Sequence, residues 1–275
     1  MTDGAGAVQR RIAQELGVPA HFDPAQEANR RSQFLTDLLA ASGLRTLVVG
    51  ISGGVDSATV GMLCRRAVRR RPSGSAALVA VRLPYGRQHD EADCEPILDA
   101  IEPDHVFTVD IQPASDAAMA GLTAAGLRFP SAARADHALG NIKARQRMIA
   151  QYAIAAALDG LVIGTDHAAE AFTGFFTKFG DGGVDANPLA GLTKRRVRRL
   201  AQHLGVSERS SPRRRPRTWN PCAHNCPTRK SSASATTRST TFLEGRPVGP
   251  ETRAEIIHRY TATAHKRTGP ITPLR

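Results

Sequence analysis

The segment Leu47-Val-Val-Gly-Ile-Ser-Gly-Gly-Val-Asp-Ser57 decides the fold of this chain. Residues 47–51 form a short β-branched run, which is typical of a buried strand in a parallel sheet. A helix is predicted directly afterwards, from about Ser57 to Arg70. Two adjacent glycines between them allow a tight turn, so that several backbone N–H groups can point at one anion. The helix adds the positive end of its dipole, and the segment therefore predicts an anion-binding loop.

Strands and helices alternate along most of the remaining sequence. The predicted strands cover residues 78–83, 106–111 and 161–164, and the predicted helices cover residues 23–42, 90–101, 142–158 and 195–204. The first of these helices carries Phe34, Leu35, Leu38 and Leu39 on one face. Alternation of this kind predicts an α/β fold, a doubly wound parallel sheet with helices on both faces. In such sheets ligands bind at the carboxyl ends of the strands.

The glycine loop carries side chains suited to a nucleotide phosphate. Ser52 and Ser57 offer hydroxyl groups, and Asp56 can hold a magnesium ion against the phosphates. The loop has no Gly-x-x-x-x-Gly-Lys pattern, which excludes a Walker loop. The alternative interpretation is a glycine turn followed by a helix cap at Asp56 or Ser57. The full Ser-Gly-Gly-x-Asp-Ser pattern after a strand resembles the pyrophosphate loop of the ATP pyrophosphatase superfamily, whose members cleave ATP between its α and β phosphates.

Further segments resemble one family within that superfamily, the ammonia-dependent NAD synthetases. They are Ala80–Gly86, Gly140–Arg147, Gly164–Glu170, Thr173–Gly183, Asn187–Leu189 and the pair His265-Lys266. The resemblance runs from about Ala25 to Val206 and returns from Phe242 to Ile271. It implies one NAD synthetase domain over residues 1–275, with the Rossmann-like ATP pyrophosphatase fold.

The resemblance also implies a reaction. Deamido-NAD, ATP and ammonia would give NAD, AMP and pyrophosphate through an adenylated intermediate, with ATP as co-substrate and Mg²⁺ as cofactor. Ammonia is the expected nitrogen donor, because 275 residues leave no room for the amidohydrolase domain of glutamine-using relatives. A cytoplasmic homodimer with neither a membrane nor a nucleic-acid partner is expected.

Site residues carried over from the family fall into three groups. Asp56 and Glu170 would hold the magnesium ion. ATP would contact Gly50, Ile51, Ser52, Gly53, Gly54, Val55, Asp56, Ser57, Arg82, Thr165 and Lys194. Deamido-NAD would contact Arg145, Lys178, Asp185, His265 and Lys266. Taken singly, such residues have simpler explanations, since an acid such as Glu170 near a helix start also complements the helix dipole. No catalytic acid or base is assigned, and His167 is expected to be structural.

The charge of the chain is concentrated in one segment. The sequence holds 37 Lys and Arg residues against 25 acids, a net charge of +12. Residues 209–241 contain eight of the basic residues and no acid, and without them the net charge is +4. This segment, which we call the basic segment, contains no Val, Ile, Leu, Met or Phe. It is therefore predicted to be an aberrant, disordered part of the domain.

The basic segment departs from the family pattern. The family has a mobile loop there, followed by an acidic run that leads to Phe-Leu-Glu-Gly, of which this chain keeps Phe242–Gly245. With mostly G/C-rich codons for residues 226–241, a shift of one base recovers an acidic run. We therefore infer two compensating frameshifts, in the gene or in its record. The metal-like Cys222-Ala-His-Asn-Cys226 and the basic run Arg213–Arg217 are then products of the wrong reading frame.

Composition excludes some classes of protein and leaves two alternatives. No stretch approaches the roughly 18 consecutive apolar residues of a membrane span, and four cysteines do not make a disulfide scaffold. One alternative function is another ATP pyrophosphatase, tRNA-modifying or GMP-forming, which should lack the segment Thr173–Gly183. The other, less favoured, is a nucleic-acid-binding protein that uses the basic segment.

Overall fold

The computed structural model describes residues 3–86, 94–206 and 231–269. Its centre is a four-stranded sheet of β1 (Thr46–Gly50), β2 (Ala77–Arg82), β3 (His105–Thr108) and β4 (Gly160–Ile163). All three strand pairs are parallel, and the spatial order is β3-β2-β1-β4. In register, Val48 of β1 lies beside Val79 of β2 and Val162 of β4. The predicted α/β fold with a parallel sheet is confirmed.

Eleven helices are described around this sheet. They are α1 (Asp3–Glu15), α2 (Pro24–Ser42), α3 (Val55–Arg69), α4 (Glu95–Ile101), α5 (Gln112–Ala124), α6 (Ala132–Ala157), α7 (Ala168–Thr173), α8 (Lys194–His203), α9 (Ser231–Leu243), α10 (Pro250–Ala262) and α11 (Ala264–Arg267). Local sequence explains where α2 begins and ends. Asp23 accepts a hydrogen bond from the Gln26 N–H at 2.8 Å, and Pro24 suits the first turn. Gly43, with φ of 69°, ends the helix. Among the described residues, no helix is both long and apolar enough to cross a membrane.

Alternate residues of the strands face opposite layers of helices. Leu47 and Val49 of β1 are buried in a cluster with apolar side chains of α2, α3 and α8, such as Leu35, Leu63 and Leu200. The other face of the sheet packs its valines against α6, through Ala155 and Tyr152. Because side chains alternate along a strand, strands buried on both faces must be apolar, as residues 47–49 of β1 and 78–81 of β2 are, whereas the edge strand β3 is exposed.

Several predicted boundaries differ from the observed ones. The strand predicted over residues 106–111 ends at Thr108, because Asp110 turns the chain by accepting hydrogen bonds from Gly86 and Gln112 N–H at 2.9 Å each. The helix predicted over 142–158 begins ten residues earlier, at Ala132. The helix predicted over 90–101 is described from Glu95, and residues 87–93 lie outside the described residues. Phe34, expected on the apolar face of α2, is 47% exposed.

The end of the basic segment differs from the expected lack of order. Residues 231–241 belong to helix α9, which ends at Leu243. The helix is held at its end by Phe242 and Leu243, which are buried in a second cluster with side chains such as Ile12 and Phe172. Gln9 of α1 also donates a hydrogen bond to the Phe242 carbonyl at 2.6 Å. Burial of the two apolar residues that follow the segment therefore orders its last turns. Residues 209–230 lie outside the described residues.

Candidate active site

A cavity lies at the carboxyl ends of β1, β2 and β4, where the sheet architecture places ligand sites. Its lining includes the glycine loop and acids from the segment that follows β4. Its lining residues include Gly50, Ile51, Ser52, Asp56, Ser57, Arg82, Arg147, Thr165, Asp166, Glu170 and Asp181. The structure thus brings most of the predicted ATP residues, and both predicted metal ligands, to one cavity.

The glycine loop is shaped by its own backbone. Ile51 N–H donates to the Val81 carbonyl at 2.9 Å, which continues the sheet into the loop. Gly53 has φ of 75°, a left-handed conformation that favours glycine. Gly54 is the N-cap of α3 and has no side chain to satisfy the first N–H groups of that helix. A long helix that begins in this way offers its N-terminus to an anion, which favours the phosphate-loop interpretation over the helix-cap alternative.

The predicted metal pair meets at one side of the cavity. Ligand atoms of Asp56, His167 and Glu170 all lie within 4.8 Å of one another. Asp56 stands in the first turn of α3, and Glu170 in the first turn of α7. Lys194, the first residue of α8, places its Nζ 2.6 Å from Asp56 Oδ1. A residue predicted for the phosphates and one predicted for the metal are therefore ion-paired.

Acidic side chains with raised pKa values are concentrated at this side of the cavity. Burial, followed by the negative charge of Asp56, raises the pKa of Glu170 well above its usual range. Burial and the charges of Asp181 and Asp56 raise the pKa of Asp166 to about 8. Carboxylates that share a poorly hydrated site repel one another, and a cation relieves that repulsion. Mg²⁺ prefers carboxylate oxygen ligands, so Asp56 and Glu170 fit this ion.

His167 is the site residue whose role the sequence did not indicate. It is the N-cap of α7, its side chain is 1% exposed, and its Nε2 lies 3.8 Å from Asp56 Oδ1 and 3.6 Å from Glu170 Oε2. Burial lowers its pKa to about 4, so the imidazole is neutral near pH 7. The sequence offered one indication that His167 belongs to the site: it follows a predicted strand and lies three residues before Glu170.

Two arginines line the cavity, of which the sequence predicted Arg82 as a site residue and did not predict Arg147. Arg82, predicted for ATP, ends β2 and forms an ion pair of 2.9 Å with Glu95. Arg147 of α6 was missed, because its side chain reads as one more helical cation. Its Nε donates to the Leu83 carbonyl at 3.1 Å, and burial lowers its pKa to about 10. Only the fold shows that Arg147 faces the cavity.

The predicted dinucleotide residues come together from three distant parts of the chain. Arg145 of α6 donates to the Lys178 carbonyl at 3.3 Å, and Lys178 Nζ donates to the His265 carbonyl at 2.8 Å. Lys266 Nζ donates to the carbonyls of Gly174 and Phe176, at 2.9 Å each. These bonds join α6, the segment 174–178 and α11 into one unit.

Asp185, the fifth residue predicted for the dinucleotide, does not share the hydrogen bonds that join Arg145, Lys178, His265 and Lys266. It is exposed, and its carboxylate accepts hydrogen bonds from the Val162 N–H at 2.7 Å and from the Tyr152 hydroxyl at 3.1 Å. Burial and Asp185 raise the pKa of Tyr152 to about 12. In the described structure this carboxylate therefore holds the segment after β4 against the sheet and α6.

The parallel sheet, the glycine loop and the carboxylate pair together define an ATP pyrophosphatase fold. Residues 27–216 match the model of a family described as NAD synthase. The chain is 50% identical over 271 residues to an NH(3)-dependent NAD(+) synthetase of Burkholderia pseudomallei, covering 97% of this chain and 94% of that protein. It is also 50% identical over 273 residues to a protein of the same description from Streptomyces coelicolor, covering 97% and 98%. The chain therefore belongs to the NAD synthase family.

A solved structure agrees with this assignment. The crystal structure of NAD+ synthetase from Burkholderia pseudomallei superimposes with a TM-score of 0.81 at 47% sequence identity. The match covers 97% of this chain and 98% of that one. The similarity therefore extends over nearly the whole of both chains.

Proposed function

We propose that this protein is an ammonia-dependent NAD synthetase, a ligase that amidates deamido-NAD with ammonia and converts ATP to AMP and pyrophosphate. One observation carries the proposal. The Ser-Gly-Gly-x-Asp-Ser loop and Glu170 line one cavity at the strand ends, and Asp56 of the loop is ion-paired with Lys194. That combination offers N–H donors, a cation site and an ammonium group to a single triphosphate.

The reaction follows from the weak reactivity of a carboxylate. A carboxylate oxygen of deamido-NAD attacks the α-phosphorus of ATP, the bond between the α phosphorus and the bridging oxygen breaks, and pyrophosphate leaves. Ammonia then attacks the acyl carbon of the adenylate, AMP leaves, and one proton is lost to give the amide. Negative charge builds up on the departing phosphates, so fixed positive groups lower the barrier.

The glycine loop and its neighbours supply those groups. Backbone N–H groups of residues 53–57, at the N-terminus of α3, would bind the phosphates, and Lys194 would move from Asp56 to them. Arg82 and Thr165 would contact the remainder of the nucleotide. Asp56 and Glu170 would hold Mg²⁺, which neutralises phosphate charge when bound.

The other substrate would lie against the unit formed by α6, the segment 174–178 and α11. Arg145, Lys178, His265 and Lys266 provide positive charge or hydrogen-bond donors for a dinucleotide. Asp185, together with these residues, completes the proposed deamido-NAD set. The position of Lys178 depends on α11, so the C-terminal helices belong to the substrate site.

A homodimer is part of the proposal. Apolar side chains that are 40% exposed or more lie on β3, α5 and α6, namely Val106, Phe107, Leu122 and Ile149. β3 is also an edge strand of the sheet. A second copy of the chain would cover such apolar area. Light scattering should give twice the chain mass, and Ile149→Glu should shift the mass towards the monomer. A wild-type monomer at micromolar concentration would contradict the dimer.

The cytoplasm is the proposed location. Cys64 and Cys94, the two cysteines within the described residues, are buried free thiols. Free thiols are typical of proteins in reducing compartments.

Compensating frameshifts in the basic segment also remain part of the proposal. Resequencing codons 205–245 tests them at the level of the gene. The chain as written should form NAD more slowly than a variant with the reading frame restored over residues 209–241. Equal rates would show that the basic segment is native.

The proposed reaction is tested against its alternatives with a panel of substrates. Release of AMP and pyrophosphate should depend on deamido-NAD and ammonium. Neither xanthosine monophosphate nor tRNA should replace deamido-NAD, and glutamine should not replace ammonium. Turnover with either of those two acceptors would favour another ATP pyrophosphatase. Salt-dependent binding of nucleic acid without turnover would favour the nucleic-acid alternative.

A further inference from the structure

His167 lies beside both proposed metal ligands but has no role in the reaction described above. Its imidazole is buried, with 1% of its side chain exposed, and it senses charges from α3, α7 and α8, the last through Lys194 and Arg198. Asp56, the nearest group from α3, and Glu170, from its own helix, face its Nε2 atom. A histidine buried among carboxylates is costly unless its ring nitrogens have defined partners.

The two ring nitrogens of His167 have different surroundings. Nδ1 accepts a hydrogen bond from the Glu170 N–H at 3.4 Å, which caps α7. Nε2 is buried and has no hydrogen-bond partner, although carboxylate oxygens lie 3.6 and 3.8 Å away. A neutral imidazole carries its proton on one nitrogen, and because Nδ1 accepts, Nε2 is the donor. The structure therefore holds a buried N–H group beside two carboxylates, slightly beyond hydrogen-bond distance.

We propose that His167 is a positioning residue of the cation site, whose Nε2–H hydrogen-bonds to a carboxylate oxygen of Asp56 or Glu170 when the cation is bound. This inference rests on the proposed function, since it takes those two acids as the metal ligands. A carboxylate has two oxygens, so one can face the cation while the other accepts from His167. Such partners fix the orientation of ligating carboxylates.

Direct ligation of the cation by His167 fits the structure less well. A nitrogen that binds a metal must offer a lone pair, so the proton would have to move from Nε2 to Nδ1. Nδ1 would then no longer accept from the Glu170 N–H, and the cap of α7 would be lost. Mg²⁺ also prefers oxygen ligands to imidazole. The geometry points to a donor that orients the ligands.

Two substitutions separate the roles of the two nitrogens. His167→Asn keeps an acceptor near the position of Nδ1, because asparagine is a good N-cap, but removes the donor at Nε2. His167→Gln has an amide N–H that can reach the position of Nε2, but loses the cap. If His167 orients the ligands, the asparagine variant loses cation affinity and the glutamine variant keeps most of it. If His167 only caps α7, the order is reversed.

The measurement is titration of the full-length protein with Mn²⁺ alone, with free Mn²⁺ counted by electron paramagnetic resonance and Mg²⁺ added as competitor. We expect His167→Asn to weaken Mn²⁺ binding by about tenfold or more, the usual effect of removing such a partner. His167→Gln should stay within about threefold of the wild type, yet melt at a lower temperature because its cap is lost. His203→Asn, at the exposed end of α8, is the matched control and should change neither quantity.

The same titration separates failure of this inference from failure of the proposed metal site. Glu170→Gln removes a proposed metal ligand, so it should weaken Mn²⁺ binding whether or not His167 orients the ligands. If it does, while His167→Asn binds Mn²⁺ as the wild type does, the role of His167 is overturned and the metal pair stands. If Glu170→Gln also binds normally, the metal pair itself is wrong and the inference falls with it.

Discussion

Lys194 of α8 is ion-paired with Asp56 of α3, with Nζ 2.6 Å from Oδ1 and also in contact with Oδ2. The two residues are 138 positions apart in the sequence. Their side chains are only 18% and 11% exposed, so the pair is largely shielded from water. The ammonium group neutralises the Asp56 carboxylate in this structure. We expect Mg²⁺ to compete with Lys194 for Asp56, so loading of the proposed metal site would release Lys194 towards the phosphates.

Replacement of Lys194 tests this competition. Lys194→Gln should lower the free energy of unfolding by about 1–3 kcal/mol, because it leaves Asp56 uncompensated among other carboxylates. Mg²⁺ should then raise the melting temperature of the variant more than that of the wild type, since no ammonium group opposes it. Arg199→Gln, which removes an exposed cation of the same helix that lies over the Phe22 ring, serves as the control. An equal Mg²⁺ effect in Lys194→Gln and wild type would count against the competition.

Asp166 provides a prediction about pH. The pKa of this carboxyl is raised to about 8, mainly by burial, whereas an unfolded chain gives about 4. Between these values the unfolded chain is ionised while the folded chain still holds the proton, so stability falls as pH rises through this window. The Asp166→Asn side chain cannot ionise, so this variant should not lose stability over this pH window. Its melting temperature at pH 8 should exceed that of the wild type by about 2–4 °C for each 1 kcal/mol gained.

The gain should shrink towards pH 5, because the stability loss accumulates with each pH unit above the unfolded-chain pKa of about 4, and little of it has accumulated at pH 5. Differential scanning calorimetry at both pH values measures the difference. Asp99→Asn, an exposed aspartate on α4, should show no such trend. A gain from Asp166→Asn that is the same at pH 5 and pH 8 would mean that Asp166 is ionised in the folded protein.

Replacement of Lys266 should raise the KM for deamido-NAD but leave the KM for ATP nearly unchanged. Lys266 of α11 donates hydrogen bonds to the carbonyls of Gly174 and Phe176, which belong to the same segment as Lys178. Lys266→Met should therefore raise the KM for deamido-NAD by about tenfold, the worth of one charged hydrogen bond. The KM for ATP should change by less than about twofold.

Steady-state kinetics with each substrate varied in turn measure both KM values for Lys266→Met. Arg11→Met, which removes an exposed cation of α1, is the control and should alter neither. An equal rise in both KM values would indicate general loosening of the fold rather than loss of a dinucleotide contact.

Local sequence was sufficient for the centre of the fold and for part of the site. The glycine loop, β1 and α3 are continuous in sequence, so their pattern alone placed Asp56 and Ser57 at a strand end. Contacts between distant parts of the chain could not be predicted from the sequence. The burial of Arg147 needs α6 to cross the sheet, and the meeting of Lys178 with His265 needs α11 to return to the segment after α7. Likewise, α9 is held by burial of Phe242, which no feature of residues 231–241 indicates.

The incorporation of ¹⁵N from labelled ammonium into NAD is the most direct test of the proposed reaction. Full-length protein, as written and with the reading frame of residues 209–241 restored, is incubated with deamido-NAD, ATP, Mg²⁺ and ¹⁵N-ammonium, and the products are analysed by mass spectrometry. We expect NAD that carries one ¹⁵N atom, with one AMP and one pyrophosphate formed per NAD, and faster in the restored protein. ADP and phosphate in place of AMP and pyrophosphate, or no labelled NAD from either protein, would contradict the proposed function.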